Sequence, residues 1–416
     1  MIKVKELKSI CDDLMIFFNI DDIEELGDKL YDILFSKNKN ETLKQYLEIV
    51  EDIETDWMQK IFQYYKADRE KGLSQDYTPP SLGKCVSKIL YNENARTVLD
   101  VCAGSGSLTL QLHKLNEDLN FVCLELDDNV IPFLLFNLCL NNVEAVVCKY
   151  DVINNKLYKA YKLTRTNSFS DIELLENFEL GKYDIVISNP PYNLKINNTI
   201  NNDTYKLAAQ KDGNAFFTIF CVNHCNGTAG LILPAGCASY QNKEALALRR
   251  TLVNNGLVSV VVMNPEKMFE ATPTTTLSLI LDMRKKEKET PILINAHYSE
   301  YIRYQNGQFG GSAHTKRTYK KKFNCYSDEN INEIIDAINN KKIIDDYSVI
   351  PTFEQLEDRH YSFSAGQYFE VKIEYIDITQ EEYDEMVENF NNGFADFVSG
   401  LLSFQEELKK NNFLKT

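Results

Sequence analysis

Between about residue 85 and residue 285 the chain repeats one pattern: a short apolar run, a turn, then a stretch with helical spacing. The apolar runs are Thr97–Val101, Phe121–Leu124, Ala145–Cys148, Asp184–Ser188, Gly230–Leu233, Ser259–Met263 and Leu277–Leu281. Such runs suit strands buried on both faces, and the helical stretches supply the crossovers that parallel strands need. The pattern predicts an α/β fold, a mostly parallel twisted sheet flanked by helices.

The flanks read differently. Over residues 1–72 apolar positions such as Leu14, Phe17 and Phe18, then Leu30, Ile33 and Leu34, recur at helical spacing. A break at Gly72, followed by Tyr77-Thr78-Pro79-Pro80, predicts a boundary. Residues 1–72 are therefore expected as a helical N-terminal domain, 73–345 as the central domain, and 346–416 as a C-terminal segment ending in a helix. Residues 154–182, with Lys156, Lys159, Lys162 and Arg165, read as a mobile insertion between strands. Residues 290–325 are turn-rich and basic, carrying Gly307, Gly310, Gly311 and the cluster Lys316-Arg317 and Lys320–Lys322, a phosphate contact or a solvated loop. A short helix is expected over 328–340. The tail over 379–410 is helical, with Tyr383, Met386, Phe390, Phe394, Phe397, Leu401, Phe404 and Leu408 forming a coiled-coil-like seam. That seam could pack on the chain's own N-terminal helices or dock on a partner.

Charge limits the functional classes. The net charge is −16, so a nucleic acid would be held by a local basic patch or by a partner's charge. No run of about 18 apolar residues suggests a membrane span, and the first residues do not resemble a signal peptide. Ten cysteines with no Cys-x-x-Cys pair predict reduced thiols and a cytoplasmic setting. Cys221, His224 and Cys225 lack a second ligand pair, so no metal is expected.

Three motifs carry chemistry. The first is Asp100-Val101-Cys102-Ala103-Gly104-Ser105-Gly106, between a strand and a helix pattern. Glycines there let a ligand approach the backbone, and the following helix start favours a negative group; a plain tight turn would look similar. Glu125 ends the next strand, where an acid can accept hydrogen bonds from both hydroxyls of a ribose. Asp151 ends the third and could accept from an adenine amino group. The most specific motif is Asn189-Pro190-Pro191-Tyr192, straight after a strand. Two prolines stiffen the turn. The Asn189 side-chain oxygen and the Pro190 carbonyl can together accept both protons of a planar amine, freeing its lone pair for attack on a methyl sulfonium. Tyr192 offers a face on which a base can stack.

The ordered set Tyr77-Thr78-Pro79, Asp100-x-x-x-Gly104-x-Gly106, Glu125, Asp151 and Asn189–Tyr192 resembles the S-adenosylmethionine (SAM)-dependent amino-methyltransferases of DNA, in the motif order of their gamma group. The likeness extends over nearly the whole chain, through Tyr347-Ser348-Val349 and Tyr361–Tyr368, to the modification subunits of type I restriction-modification systems. Two positions depart from that pattern: Gln367 stands where the family often has Arg, and Asp100-Val101 where it has Asp-Pro. The resemblance implies a Rossmann-like fold, with Tyr77 and Thr78 near the methionine part of SAM and Asp100, Gly104, Gly106, Glu125, Asp151 and Phe217 forming the rest of the cofactor site. It implies Asn189, Pro190, Pro191 and Tyr192 at a flipped-out adenine in double-stranded DNA. Phe269 would be the second aromatic at that base, or a core phenylalanine. The implied partners are a specificity subunit shared by two modification subunits, and possibly a restriction subunit.

Other readings share the tetrapeptide. A self-sufficient adenine methyltransferase, or one acting on a protein glutamine or an RNA guanine amine, would also bind a planar amine. A non-catalytic SAM-fold subunit would have no need of the intact Asn189–Tyr192 motif. A cytosine-C5 enzyme needs a nucleophilic cysteine after proline, and no Pro-Cys dipeptide occurs.

Overall fold

The computed structural model describes residues 4–51, 56–62, 78–269, 274–285, 287–306, 318–370 and 379–410. Four helices come first: α1 (Val4–Phe18), α2 (Leu26–Leu34), α3 (Lys39–Val50) and the short α4 (Trp57–Ile61). Next is α5 (Pro80–Leu90), opened by a proline whose missing N–H would be unpaired in any first turn. There follow β1 (Thr97–Val101), α6 (Ser107–His113), β2 (Asn120–Glu125), α7 (Ile131–Leu140) and β3 (Ala145–Asp151). The chain continues through β4 (Lys156–Thr164), β5 (Asp171–Leu175), β6 (Tyr183–Ser188), β7 (Ile200–Asn202), β8 (Leu207–Ala209), α8 (Gly213–Asn223) and β9 (Cys225–Pro234). Then come α9 (Lys243–Asn254), β10 (Val258–Met263), β11 (Thr276–Asp282), β12 (Ile292–Asn295), β13 (Ser299–Asn306), β14 (Thr318–Cys325), α10 (Asp328–Asn339), β15 (Ser348–Val349), α11 (Phe353–Asp358) and α12 (Gln380–Lys410).

Eleven strands form one sheet in the order β15-β12-β10-β11-β9-β6-β1-β2-β3-β4-β5. The sheet is mixed. Its centre, β9-β6-β1-β2-β3, is parallel, as is β10 with β12. Antiparallel strands β4, β5, β11 and β15 complete it. The segment 154–182, read from sequence as a mobile insertion, instead contributes β4 and β5 to this sheet. Lys156 and Lys159 are exposed and Lys162 is partly exposed in this edge hairpin, so composition alone suggests a loop.

The sheet separates two apolar layers. One joins its α7 face to α1–α5; every residue of α7 is buried, as expected of a helix enclosed on all sides. The other joins the opposite face to α8 and α9. Residues Met1–Phe369 form one compact unit and Glu370–Thr416 a second. The second consists of α12, along which Tyr383, Met386, Phe390, Phe394, Phe397, Leu401 and Phe404 are exposed. Among the described residues no helix is long and apolar enough to cross a membrane.

The order of connections fixes the site. From β1 the chain winds outward through β2 and β3, then returns to β6 on the other side of β1. Val101 pairs with Ser188, whose hydroxyl donates to the Val101 carbonyl at 2.7 Å. The two motif turns therefore leave neighbouring strands side by side, where open α/β sheets bind ligands.

Candidate active site

The turn after β1 is built from left-handed residues. Cys102 (φ 63°), Gly104 (57°) and Gly106 (93°) alternate with Ala103 and Ser105, bending the backbone into a concave cradle. A Cβ on Gly106 would lie 3.0 Å from Leu134 Cδ1. Asp100 lies fully buried beneath this cradle. Its Oδ2 accepts from the Thr109 amide at 3.2 Å and hydroxyl at 2.7 Å, while Oδ1 has no partner among the described residues. Burial pushes the Asp100 carboxyl up to about 7.

Glu125, half-buried at the end of β2, ties the cradle to its own turn. One oxygen accepts from the Gly104 amide at 2.9 Å; the other accepts from the amides of Leu126 at 2.8 Å and Asp127 at 2.9 Å. Burial raises its pKa despite these bonds. Asp151 ends β3 and accepts from the Asn154 amide and side chain at 2.9 and 2.7 Å.

The second turn begins at Asn189. Its Nδ2 donates to the Thr78 hydroxyl at 3.0 Å, and its Oδ1 accepts from the Tyr192 hydroxyl at 2.6 Å. The Tyr192 ring meets Phe269 edge to face, with centroids 6.3 Å apart and planes at 83°. One cleft of about 220 Å³ unites the two turns: Thr78, Gly104, Glu125 and Asp151 line it together with Asn189, Pro190, Pro191 and Phe217. Asp100 and Gly106 shape the cradle from below without lining the cleft, and Phe269 is buried beside Tyr192. Tyr77 lies outside the described residues, as do Gly307, Gly310, Gly311, Lys316 and Arg317.

Sequence reasoning missed the supports from α4. The Gln59 side chain donates to the Thr78 carbonyl at 3.2 Å. Asp56 accepts from Asn137 Nδ2 at 3.0 Å, and that nitrogen also donates to the Ser105 carbonyl at 2.9 Å. No motif marks these residues, because the bonds join positions far apart in the chain.

A family model described as N-6 DNA Methylase matches residues 50–375. The chain belongs to this family. Among curated N-6 DNA methylase relatives, the methylase subunit of the type I restriction enzyme MjaVIII of Methanocaldococcus jannaschii is 25% identical over 347 residues, covering 80% of this chain and 56% of that one. The MpnII methylase subunit of Mycoplasma pneumoniae is 24% identical over 376 residues, covering 84% and 64%. The chain thus spans less than two thirds of the length of either relative. A solved structure of a type I restriction-modification methyltransferase subunit from Streptococcus thermophilus aligns with a TM-score of 0.56 at 18% identity, over 88% of this chain and 80% of that one. This chain and that subunit share a fold.

Proposed function

We propose that the protein is the modification subunit of a type I restriction-modification system, a cytoplasmic SAM-dependent enzyme that methylates the N6 amino group of adenine in double-stranded DNA. The observation that carries this reading is the single cleft that has Gly104 and Glu125 at one side and Asn189-Pro190-Pro191 at the other.

The residues fit the cofactor. The left-handed cradle lets a ligand lie against the backbone, and Glu125 retains acceptor capacity for ribose hydroxyls beyond its three amide bonds. Phe217 and Asp151 line the cleft where an adenine ring would lie, and Thr78 where the methionine part would. SAM, when bound, supplies an electrophilic methyl group. The chain's own residues do the rest. Asn189 Oδ1 and the Pro190 carbonyl accept the two amine protons and orient the nitrogen lone pair. Tyr192 and Phe269 enclose the target base, which must leave the duplex to reach them, at a cost of a few kcal/mol.

Residues 73–345 carry this chemistry, while 1–72 and 346–416 support and dock it. The exposed apolar seam of α12 is the surface for helices of a specificity subunit, with two modification subunits per specificity subunit and a restriction subunit completing the assembly. A partner also supplies the cationic DNA surface that a chain of net charge −16 does not provide overall.

The test is transfer of labelled methyl from SAM to DNA, with and without the specificity subunit, followed by nucleoside analysis. Label in N6-methyladenine only with both chains present supports the reading. Label with this chain alone makes it self-sufficient, and label confined to protein or RNA overturns it. Asn189→Ala should abolish transfer while the variant still folds.

A further inference from the structure

The strand that ends just before Asn189 does not by itself aim the asparagine side chain. An asparagine amide can turn about its terminal torsion, and the two orientations exchange a donor for an acceptor. Here two neighbouring hydroxyls hold it in place. The Tyr192 hydroxyl donates to Oδ1, and the Thr78 hydroxyl accepts from Nδ2 at 3.0 Å. The second bond can persist once a base displaces the Tyr192 hydroxyl, so Thr78 anchors the Asn189 side chain at its Nδ2 end and keeps the amide in place.

Thr78 is itself held from the N-terminal helices. It is 5% exposed, and its carbonyl accepts from Gln59 Nε2 at 3.2 Å and Ser107 Oγ at 3.3 Å. Gln59 is 2% exposed and sits in the first turn of α4. That turn is capped by Asp56, whose carboxylate accepts from the Gln59 amide at 2.8 Å. The same carboxylate accepts from Asn137, which also binds the Ser105 carbonyl of the cofactor cradle. One capped turn thus holds both halves of the cleft, through Thr78 to Asn189 and through Asn137 to Ser105.

We propose that Gln59 is a positioning residue for methyl transfer: it acts through Thr78 to orient the Asn189 side chain toward the target amine. The proposal rests on the functional reading above in naming the reaction, but the relay itself can be measured without it. A buried donor with a fixed partner transmits position: without Gln59 the Thr78 carbonyl keeps only the longer bond from Ser107 and is free to shift.

The experiment uses the full chain labelled with 15N-asparagine. The Asn189 side-chain amide signal is identified by its loss in Asn189→Asp. Gln59→Met, which keeps volume and removes the donor, and Thr78→Val, which removes the hydroxyl, should each shift that signal; Thr78→Ser should restore it. Methyl transfer by the complete assembly is measured in parallel. Gln59→Met should lower kcat roughly 10- to 100-fold with a smaller change in KM for SAM. The double variant Gln59→Met/Thr78→Val should cost no more than Thr78→Val alone, since both act on one path. An Asn189 signal unmoved by Gln59→Met, or strictly additive losses, overturns the relay. A shifted signal in a protein that methylates no DNA leaves the relay standing and removes the functional reading instead.

Discussion

The Tyr192 hydroxyl donates to Asn189 Oδ1 at 2.6 Å, so the tyrosine engages the very acceptor that the proposed mechanism assigns to the target amine. On the proposed mechanism, a base entering between Tyr192 and Phe269 displaces this bond and turns a ring now edge-on to its neighbour. Tyr192→Phe keeps the stacking face and removes a competitor worth about 1 kcal/mol. Its kcat/KM should equal the wild-type value or exceed it by up to ~5-fold. Tyr192→Ala loses base stacking of roughly 1–3 kcal/mol and should fall by about 5- to 100-fold. Equal damage in both variants, measured by initial rates of methyl transfer, would assign the hydroxyl a part in turnover.

The cradle makes its own demand. Gly106 has φ 93°, and a Cβ there would press on Leu134. Gly106→Ala carries about 1–2 kcal/mol of backbone strain in addition to that contact. SAM affinity by calorimetry should weaken about ten-fold or more. Gly181→Ala, where a Cβ would meet nothing within 4 Å, is the control and should bind as wild type.

Two buried acids set a pH dependence of stability. Burial raises Asp100 to about 7 and Asp56 to about 6, both above the unfolded value near 3.9. The native state therefore binds more protons than the unfolded state across that interval, and the stability these groups contribute is full below about pH 4 and lost as pH rises to about 7. Asp100→Asn removes one titration. The drop in melting temperature between pH 5 and pH 8 should be smaller in Asp100→Asn than in wild type, as read by thermal unfolding in both buffers. An unchanged difference would place the Asp100 carboxyl in its ordinary range.

The tail forms a unit of its own, with Phe390 72% and Phe397 61% exposed. On the proposed reading, deleting residues 379–416 should leave SAM affinity unchanged and abolish co-purification with a specificity subunit. Complex formation surviving the deletion would move the docking surface elsewhere.

The central strands were legible because buried parallel strands need unbroken apolar runs, and Thr97–Val101, Asp184–Ser188 and their neighbours supply them. The turns at Gly104 and Asn189 were legible because glycine permits left-handed backbone and proline fixes φ locally. The hairpin β4–β5 was not: an edge exposes one face to water, so Lys156, Lys159 and Lys162 look the same in a strand as in a loop. The half-antiparallel pairing of the sheet was equally hidden, since strand direction depends on connections and not on composition. Gln59 and Asp56 lie farthest from any sequence signal. Their value comes from partners 19 and 81 positions away, Thr78 and Asn137.

An eleven-stranded sheet has two open margins, and each could recruit a foreign strand. At one margin β15 is only two residues long. At the other, β5 carries Asp171 and Glu173, paired with Lys39 and Lys162. Neither margin offers the long uncharged template from which edge-to-edge polymers grow, so the protein retains a defence against aggregation through its sheet even where no other chain covers it.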